Sequence, residues 1–206
     1  MTRTLQDAAH AAAACTRCEL AEGRTTVVYG SGHPDAELMF IGEAPGFHED
    51  RQGVPFVGAA GNLLTELLSG IGLARDQVYI ANTLKCRPPG NRDPKPEEIE
   101  ACHPWLLEQI DIVDPLVICT LGNFATRLLL STTVGISRMR GQEFSYRDRL
   151  LIPTFHPAAI LHSGGRTSTS WGQMEEDFRL VAKRLEELRG ARADSRDEEA
   201  EQLGLF

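Results

Sequence analysis

Three groups of side chains in this 206-residue chain have the types and spacing to do chemistry. The first is Gly42-Glu43-Ala44-Pro45-Gly46, where an apolar run ends abruptly in a turn of two glycines, a proline and one carboxylate. Glycine lets backbone N–H groups come close to a ligand because no Cβ intervenes. The second group belongs to further strand ends and the loop between them. Asn82 closes one apolar run, and its amide donates and accepts at once, matching a ring edge that presents a carbonyl beside an N–H. His156, held by Pro157 after another run, can donate to a developing anion. Phe56, in the glycine-flanked loop Gly53-Val54-Pro55-Phe56-Val57-Gly58, can stack on a planar ligand. The third group is the cysteines: Cys15 and Cys18 form a C-x2-C pair, Cys86 follows a strand, Cys102 falls on the next helix, and Cys119 lies inside an apolar run. The first four are ligand candidates and Cys119 belongs to the core. Spacing alone leaves tetrahedral zinc and an iron–sulfur cluster both open.

Positioning these groups requires strands that end at one edge. Apolar runs predict strands over 37–41, 77–82, 116–121 and 150–154, and helical periodicity predicts helices over 61–71, 96–110, 124–130 and 174–188. Pro96 followed by Glu97 and Glu98 marks a helix start through fixed φ and the macrodipole. Alternating strands and helices, with strands apolar throughout, imply an α/β fold: a three-layer α/β/α sandwich around a four-stranded, mostly parallel sheet. Ligands of such sheets bind beyond the carboxyl ends of the strands.

Composition limits the function classes. With 42% hydrophobic residues the chain can form one substantial core, expected over residues 1–190, with 191–206 as a flexible acidic tail. No apolar run approaches the roughly 20 residues that span a bilayer, and no secretory signal opens the chain, so a cytoplasmic monomer without membrane contact is expected. Five cysteines in that setting favour metal or redox chemistry over disulfides. The net charge of −8 argues against broad polyanion binding, although residues 171–206 hold 10 acidic and 6 basic groups and so supply half of it. A nucleic-acid site must then be a local patch, for which Arg87, Arg92, Lys95, Arg138, Arg140 and Arg166 are available in expected loops.

Six ordered motifs together resemble the family-4 uracil-DNA glycosylases, the iron–sulfur class of that superfamily. They are Gly42 to Gly46 with Glu49-Asp50; Gly53 to Gly61; Asn82-Thr83-Leu84-Lys85-Cys86-Arg87-Pro88-Pro89 with Asn91-Arg92; Pro96-Glu97-Glu98 with Cys102; Gly135-Ile136-Ser137 with Arg140-Gly141; and His156-Pro157-Ala158-Ala159-Ile160-Leu161. The resemblance implies hydrolysis of the N-glycosidic bond of deoxyuridine in single- and double-stranded DNA after base flipping, initiating base excision repair. It implies a 4Fe-4S cluster on Cys15, Cys18, Cys86 and Cys102. It gives Phe56 the stacking role, lets Asn82 donate to O4 and accept from N3–H, and sets His156 against charge at O2, with Gly42, Ala44 and Gly46 shaping the pocket. Other classes of the superfamily carry Asp or Asn where Ala44 stands, leaving Glu43 and Glu49 as carboxylates in reach. Glu49 has a second possible task, walling off the C5 edge against thymine.

For DNA contact the expected residues are Arg87, Asn91, Arg138, Arg140 and Arg166, with Leu161 or His162, in a loop over 161–170, wedging into the vacated space. Two alternatives have different signatures. A relative of the UdgX type becomes covalently trapped through a histidine in an inserted basic loop, and the segment 135–144 has neither insertion nor histidine. A noncatalytic iron–sulfur DNA-binding module would not need Asn82, His156 and Phe56 together. Finally, Gln202-Leu203-Gly204-Leu205-Phe206 resembles the short peptide with which bacterial repair proteins bind the sliding clamp, Gln202 at the groove edge and Leu203, Leu205 and Phe206 as apolar anchors.

Overall fold

The computed structural model describes residues 3–202. Its helices are α1 (Leu5–Ala13), α2 (Leu20–Gly23), α3 (Phe47–Gln52), α4 (Ala59–Gly70), α5 (Pro96–Val113), α6 (Asn123–Leu130), α7 (Ile136–Met139), α8 (Pro157–His162) and α9 (Thr169–Gln202). Its strands are β1 (Ser31–Gly32), β2 (Leu38–Gly42), β3 (Tyr79–Asn82), β4 (Val117–Leu121), β5 (Phe144–Tyr146) and β6 (Arg149–Thr154). They form one sheet in the order β1-β3-β2-β4-β6-β5. The four expected strands are its parallel centre, β3-β2-β4-β6. The expectation of four strands is corrected to six, because β1 and β5 add antiparallel edges of two and three residues. Pieces that short, only partly buried, carry no apolar run by which sequence would reveal them.

The side-chain period of two along β2 divides the core. Leu38 and Phe40 face the layer containing α4 and α9, where Phe40 stacks on Phe178 at a centroid distance of 5.4 Å. Met39 and Ile41 face the layer of α5 and α6, among Leu106, Ile110 and Ala125. Burying a ring such as Phe40 completely stabilises the fold by roughly 2–3 kcal/mol. α9 is held by Trp171, Met174, Phe178, Val181 and Leu185, spaced three and four residues apart, so they form one stripe. The segment 191–202, expected as a tail, continues this helix in backbone conformation, and 203–206 lies outside the described residues. A third apolar cluster joins α1 to α5 through Ala8, Ala12, Leu84, Cys86, Cys102 and Trp105. No helix among the described residues is long and apolar enough to cross a membrane.

Pro96 is the first residue of α5, and the Glu98 carboxylate accepts from the Lys95 N–H at 2.8 Å, capping the helix that carries Cys102. β2 pairs with β3 on one side and β4 on the other, so the chain reverses direction across the sheet at β2. In open α/β sheets the crevice at such a reversal, outside the strand C-termini, is the ordinary ligand position.

Candidate active site

Because the four central strands are parallel, Gly42, Asn82, Leu121 and Thr154 end on one edge of the sheet. The loops beyond them enclose a cleft of about 420 Å³ lined by Glu43, Ala44, Gly46, Phe56, Asn82 and His156, together with Phe47, His48, Glu49 and Asn91. The lining residues expected for base recognition therefore meet in one place, although Glu43 and His156 lie 113 positions apart.

Asn82 forms the floor. Its side chain is 1% exposed, and Oδ1 is buried without a hydrogen-bond partner among the described residues. An unpaired buried acceptor costs about 1–3 kcal/mol, so this oxygen is held ready for a donor that the described residues do not supply. Gly42 makes the arrangement possible. A Cβ there would stand 2.5 Å from Asn82 Oδ1 and 2.6 Å from Phe56 Cζ.

Phe56 forms the wall, its ring 5.6 Å from that of His156 and tilted by 32°. Its φ of +53° lies in the left-handed region, a strain of about 1–3 kcal/mol for a bulky residue. Two devices hold it. Glu49 Oε1 accepts from the N–H groups of Val57 and Gly58, both at 2.9 Å, and Gly61 leaves space that a Cβ would close at 1.8 Å from the Phe56 carbonyl oxygen. Glu49 therefore spends one oxygen on positioning the stacking residue. Its other oxygen lies over Gly46, where a Cβ would meet it at 2.8 Å.

His156 caps α8. Its Nδ1 accepts from the Ala158 N–H at 3.2 Å, which leaves the ring proton on Nε2 as a donor. Burial lowers its pKa to about 4, with Glu49 opposing the shift, so the ring is neutral at physiological pH. The Glu43 carboxyl accepts no hydrogen bond from the described residues, whereas its main-chain carbonyl accepts from Leu84 N–H at 3.0 Å and from Thr83 Oγ1 at 2.5 Å. Burial, and then the charge of Asp93, raise its pKa to about 7. The cleft thus presents an unpaired amide oxygen, a neutral imidazole N–H, an aromatic face and a carboxyl poised near neutrality.

The four candidate cysteines line a second pocket, with Arg17, Arg24, Lys85 and Trp105. Donors already face three of the sulfurs: Arg24 Nη1 to Cys86 at 3.5 Å, the Lys85 N–H to Cys102 at 3.2 Å and Trp105 Nε1 to Cys15 at 3.3 Å. Burial raises the Cys86 thiol to about 11 and also raises Cys102, so thiolates there need a cationic partner. No three Cys, His, Asp or Glu side chains among the described residues gather around a single-ion site. A polynuclear cluster sets each thiolate on a different metal atom and so accommodates a wider donor set than one ion does. Cys119 is fully buried in β4, as expected.

Lys85 had no role assigned from sequence. It is 1% exposed, and its Nζ donates to the Asn82 main-chain carbonyl at 2.7 Å and to Gln109 Oε1. The signal was its position between apolar Leu84 and Cys86, where a solvated lysine does not belong.

The outer residues are less unified. Arg87 Nε donates to Asn91 Oδ1 at 2.6 Å, and Asn91 lines the cleft. Arg138 on α7 is exposed. Arg140, expected as a DNA contact, is engaged within the fold. It binds Asp177, itself 2% exposed, through Nε at 2.9 Å and Nη2 at 2.5 Å, while Thr154 Oγ1 donates to the same carboxylate. Arg92 is likewise paired with buried Glu98, and Arg166 with Glu66. Leu161 and His162 are exposed but end α8, so the loop expected over 161–170 is partly helical. Arg138, Leu161, His162 and Arg166 do not line the cleft.

The family model for the uracil DNA glycosylase superfamily matches residues 29–186. The chain belongs to that superfamily. A Type-4 uracil-DNA glycosylase of Sulfurisphaera tokodaii is 47% identical over 176 residues, covering 81% of this chain and 78% of the relative. One from Archaeoglobus fulgidus is 42% identical over 197 residues, covering 91% and 94%, and one from Thermotoga maritima is 48% identical over 151 residues, covering 72% and 79%. The glycosylase match spans the cleft from Glu43 to His156, as well as Cys86 and Cys102. Cys15 and Cys18 precede it.

Proposed function

We propose that the chain is a uracil-DNA glycosylase that hydrolyses the N-glycosidic bond of a flipped deoxyuridine and so starts base excision repair. The observation that carries this reading is the unpaired Oδ1 of Asn82. Uracil N3–H satisfies it, and the Asn82 amide N–H donates to O4. Cytosine presents an acceptor at N3 and a donor at C4, reversing both partners, and a site built on buried hydrogen bonds rejects such a ring strongly. Phe56 stacks on the base, and the strained loop holding it spares part of the ordering cost on binding.

Bond cleavage leaves an anionic base and a cationic sugar. The neutral His156 Nε2–H donates to O2 as charge develops there, in a site shielded enough to strengthen that interaction. Glu43, with a pKa of about 7, is partly ionised at neutral pH and supplies the carboxylate for the sugar cation or the attacking water. Glu49 positions Phe56, and its free oxygen excludes a C5 methyl group. Cys15, Cys18, Cys86 and Cys102 would hold a 4Fe-4S cluster, whose contribution is structural, tying the segment after α1 to β3 and α5. The donors facing those sulfurs support this reading. Arg87 and Asn91 supply DNA contacts at the rim, with Arg138, Arg166, Leu161 and His162 as a more distant set. The C-terminal clamp peptide rests on sequence, since Leu203, Leu205 and Phe206 lie outside the described residues and only the backbone of Gln202 is described. Deleting 202–206 should abolish clamp binding and leave excision intact.

The test is incubation with a labelled single-stranded oligonucleotide carrying one uracil. Alkali-labile product beyond one equivalent of protein is expected, and Asn82→Ala should abolish it. A stoichiometric, denaturation-resistant protein–DNA band would replace turnover with covalent trapping. The absence of both would leave a binding module.

A further inference from the structure

Phe47 has no role in the chemistry above. It is 45% exposed, and the other large exposed apolar residues among those described, Val54, Val134 and Leu161, are aliphatic. It lines the same cleft as Phe56 and Asn82, at the outer side where α3 begins. Two guanidiniums lie near the ring, Arg87 Cζ at 5.1 Å and Arg51 Cζ at 5.6 Å from its centroid, and His48 meets it edge-on at 5.4 Å. Neither arginine forms an ion pair among the described residues, in contrast to Arg92, Arg140 and Arg166. In a chain of net charge −8, two unneutralised cations beside an exposed ring at the mouth of the base cleft form a local site for an aromatic anion.

We propose that Phe47 is a stacking platform for the base adjacent to the flipped uracil on the same strand, with Arg51 and Arg87 meeting the flanking phosphates. The inference rests on the cleft being the uracil pocket. A strand that enters the cleft with one base must pass over its rim with the next, where it finds a π-face and two cations. That pairing of an aromatic platform with backbone-tracking charge is how proteins hold single-stranded nucleic acid without reading its sequence. An unpaired neighbour can lie on Phe47, whereas a neighbour in a duplex is already stacked and paired. The platform therefore favours single-stranded over duplex substrate.

Binding is measured by fluorescence anisotropy with single-stranded oligonucleotides carrying the cleavage-resistant 2′-fluoro-2′-deoxyuridine. The neighbour on the 5′ or the 3′ side is either a normal nucleotide or an abasic one. The wild-type chain should bind about tenfold more weakly when the neighbouring base is missing on one side, equivalent to ~1.4 kcal/mol. Phe47→Ala should lose that difference and Phe47→Trp should keep it, both with unchanged melting temperature. Arg87→Gln and Arg51→Gln should each lower the slope of log Kd against log salt by about 0.7, the single-strand value for one phosphate. A wild type indifferent to the neighbouring base on both sides, or a Phe47→Ala variant that still discriminates, overturns the platform. Replacing the uracil analogue with thymidine tests the pocket separately. Loss of binding in both wild type and Phe47→Ala keeps the uracil reading standing even if the platform falls.

Discussion

Replacing Gly42 with alanine adds one methyl group where the floor and wall of the cleft touch. That carbon would stand 2.5 Å from Asn82 Oδ1 and 2.6 Å from Phe56 Cζ, whereas ordinary contact begins at 3.4 Å, so a displacement of about 0.9 Å is needed. The backbone cannot supply it. Gly42 is in register with Asn82 in the β2–β3 ladder, and its carbonyl accepts from the Thr83 N–H at 2.9 Å. The side chains must yield, and both are those proposed to hold the base. A misplacement of about 1 Å in a positioning group costs on the order of 10²-fold in rate, or ~2.7 kcal/mol of transition-state stabilisation. Stability should change less, because overpacking costs about 1–3 kcal/mol while removing a strand glycine returns about 0.5–1 kcal/mol. The assay is single-turnover excision from a single-stranded uracil oligonucleotide, with thermal melting as the folding control. Gly70→Ala is the comparison, since a Cβ at Gly70 meets nothing within 4 Å and its rate should equal wild type. A folded Gly42→Ala variant that excises uracil within about threefold of wild type would refute the assignment of Asn82 and Phe56 as base-contacting groups.

Three further outcomes follow from the arrangement of charges and from the proposed cluster. His156, lowered from 6.5 to about 4, binds fewer protons folded than unfolded between those values, so its contribution is present above pH 6.5 and disappears as pH falls toward 4. Glu43, raised from 4.5 to about 7, acts in the opposite sense, favouring the fold below 4.5 and losing that contribution as pH rises through 7. In urea titrations across pH 4–7, His156→Asn should remove stability gained on raising pH, and Glu43→Gln should remove stability lost. Arg140→Met should destabilise by about 3–5 kcal/mol, because it strands the buried Asp177 carboxylate, and Asp177→Leu in the same chain should recover most of the loss; an altered salt slope for DNA binding at unchanged stability would contradict the internal assignment. If the proposed cluster is bound, Cys86→Ala and Cys102→Ala should each eliminate its visible absorbance and lower the melting temperature, whereas Cys119→Ala should leave the spectrum unchanged.

What sequence revealed and what it concealed divide by physical range. Runs such as Leu38 to Ile41 are buried on both faces, so local hydrophobicity alone identified the parallel centre and the strand ends that bear Asn82 and His156. The edge strands β1 and β5 are exposed in part and short, and their pairing depends on partners 47–49 and 3–7 positions away rather than on an apolar pattern. Arginines show the same contrast. From sequence Arg87, Arg140 and Arg166 are equivalent loop cations, but Asp177 lies 37 positions from Arg140 and Glu66 lies 100 from Arg166, and these distant carboxylates set which guanidiniums remain available. Glu49 was legible as a pocket residue and illegible as a clamp on the Val57 and Gly58 amides, because that contact exists only once the loop turns through Phe56.

The five residues from Asn82 to Cys86 serve two sites with one short length of backbone. Thr83 is tied to the carbonyls of Gly42 and Glu43, Leu84 to Glu43, and Lys85 to Asn82, Gln109 and Cys102. A backbone shift anywhere from Thr83 to Cys86 is felt at both ends, since the same short run of hydrogen bonds holds the floor of the cleft and the cysteine pocket. Laboratory selection for altered base preference should therefore accumulate changes at the Asn82 side chain and on the opposite wall, in the loop from Gly46 to Gly58, and leave Thr83 to Cys86 untouched.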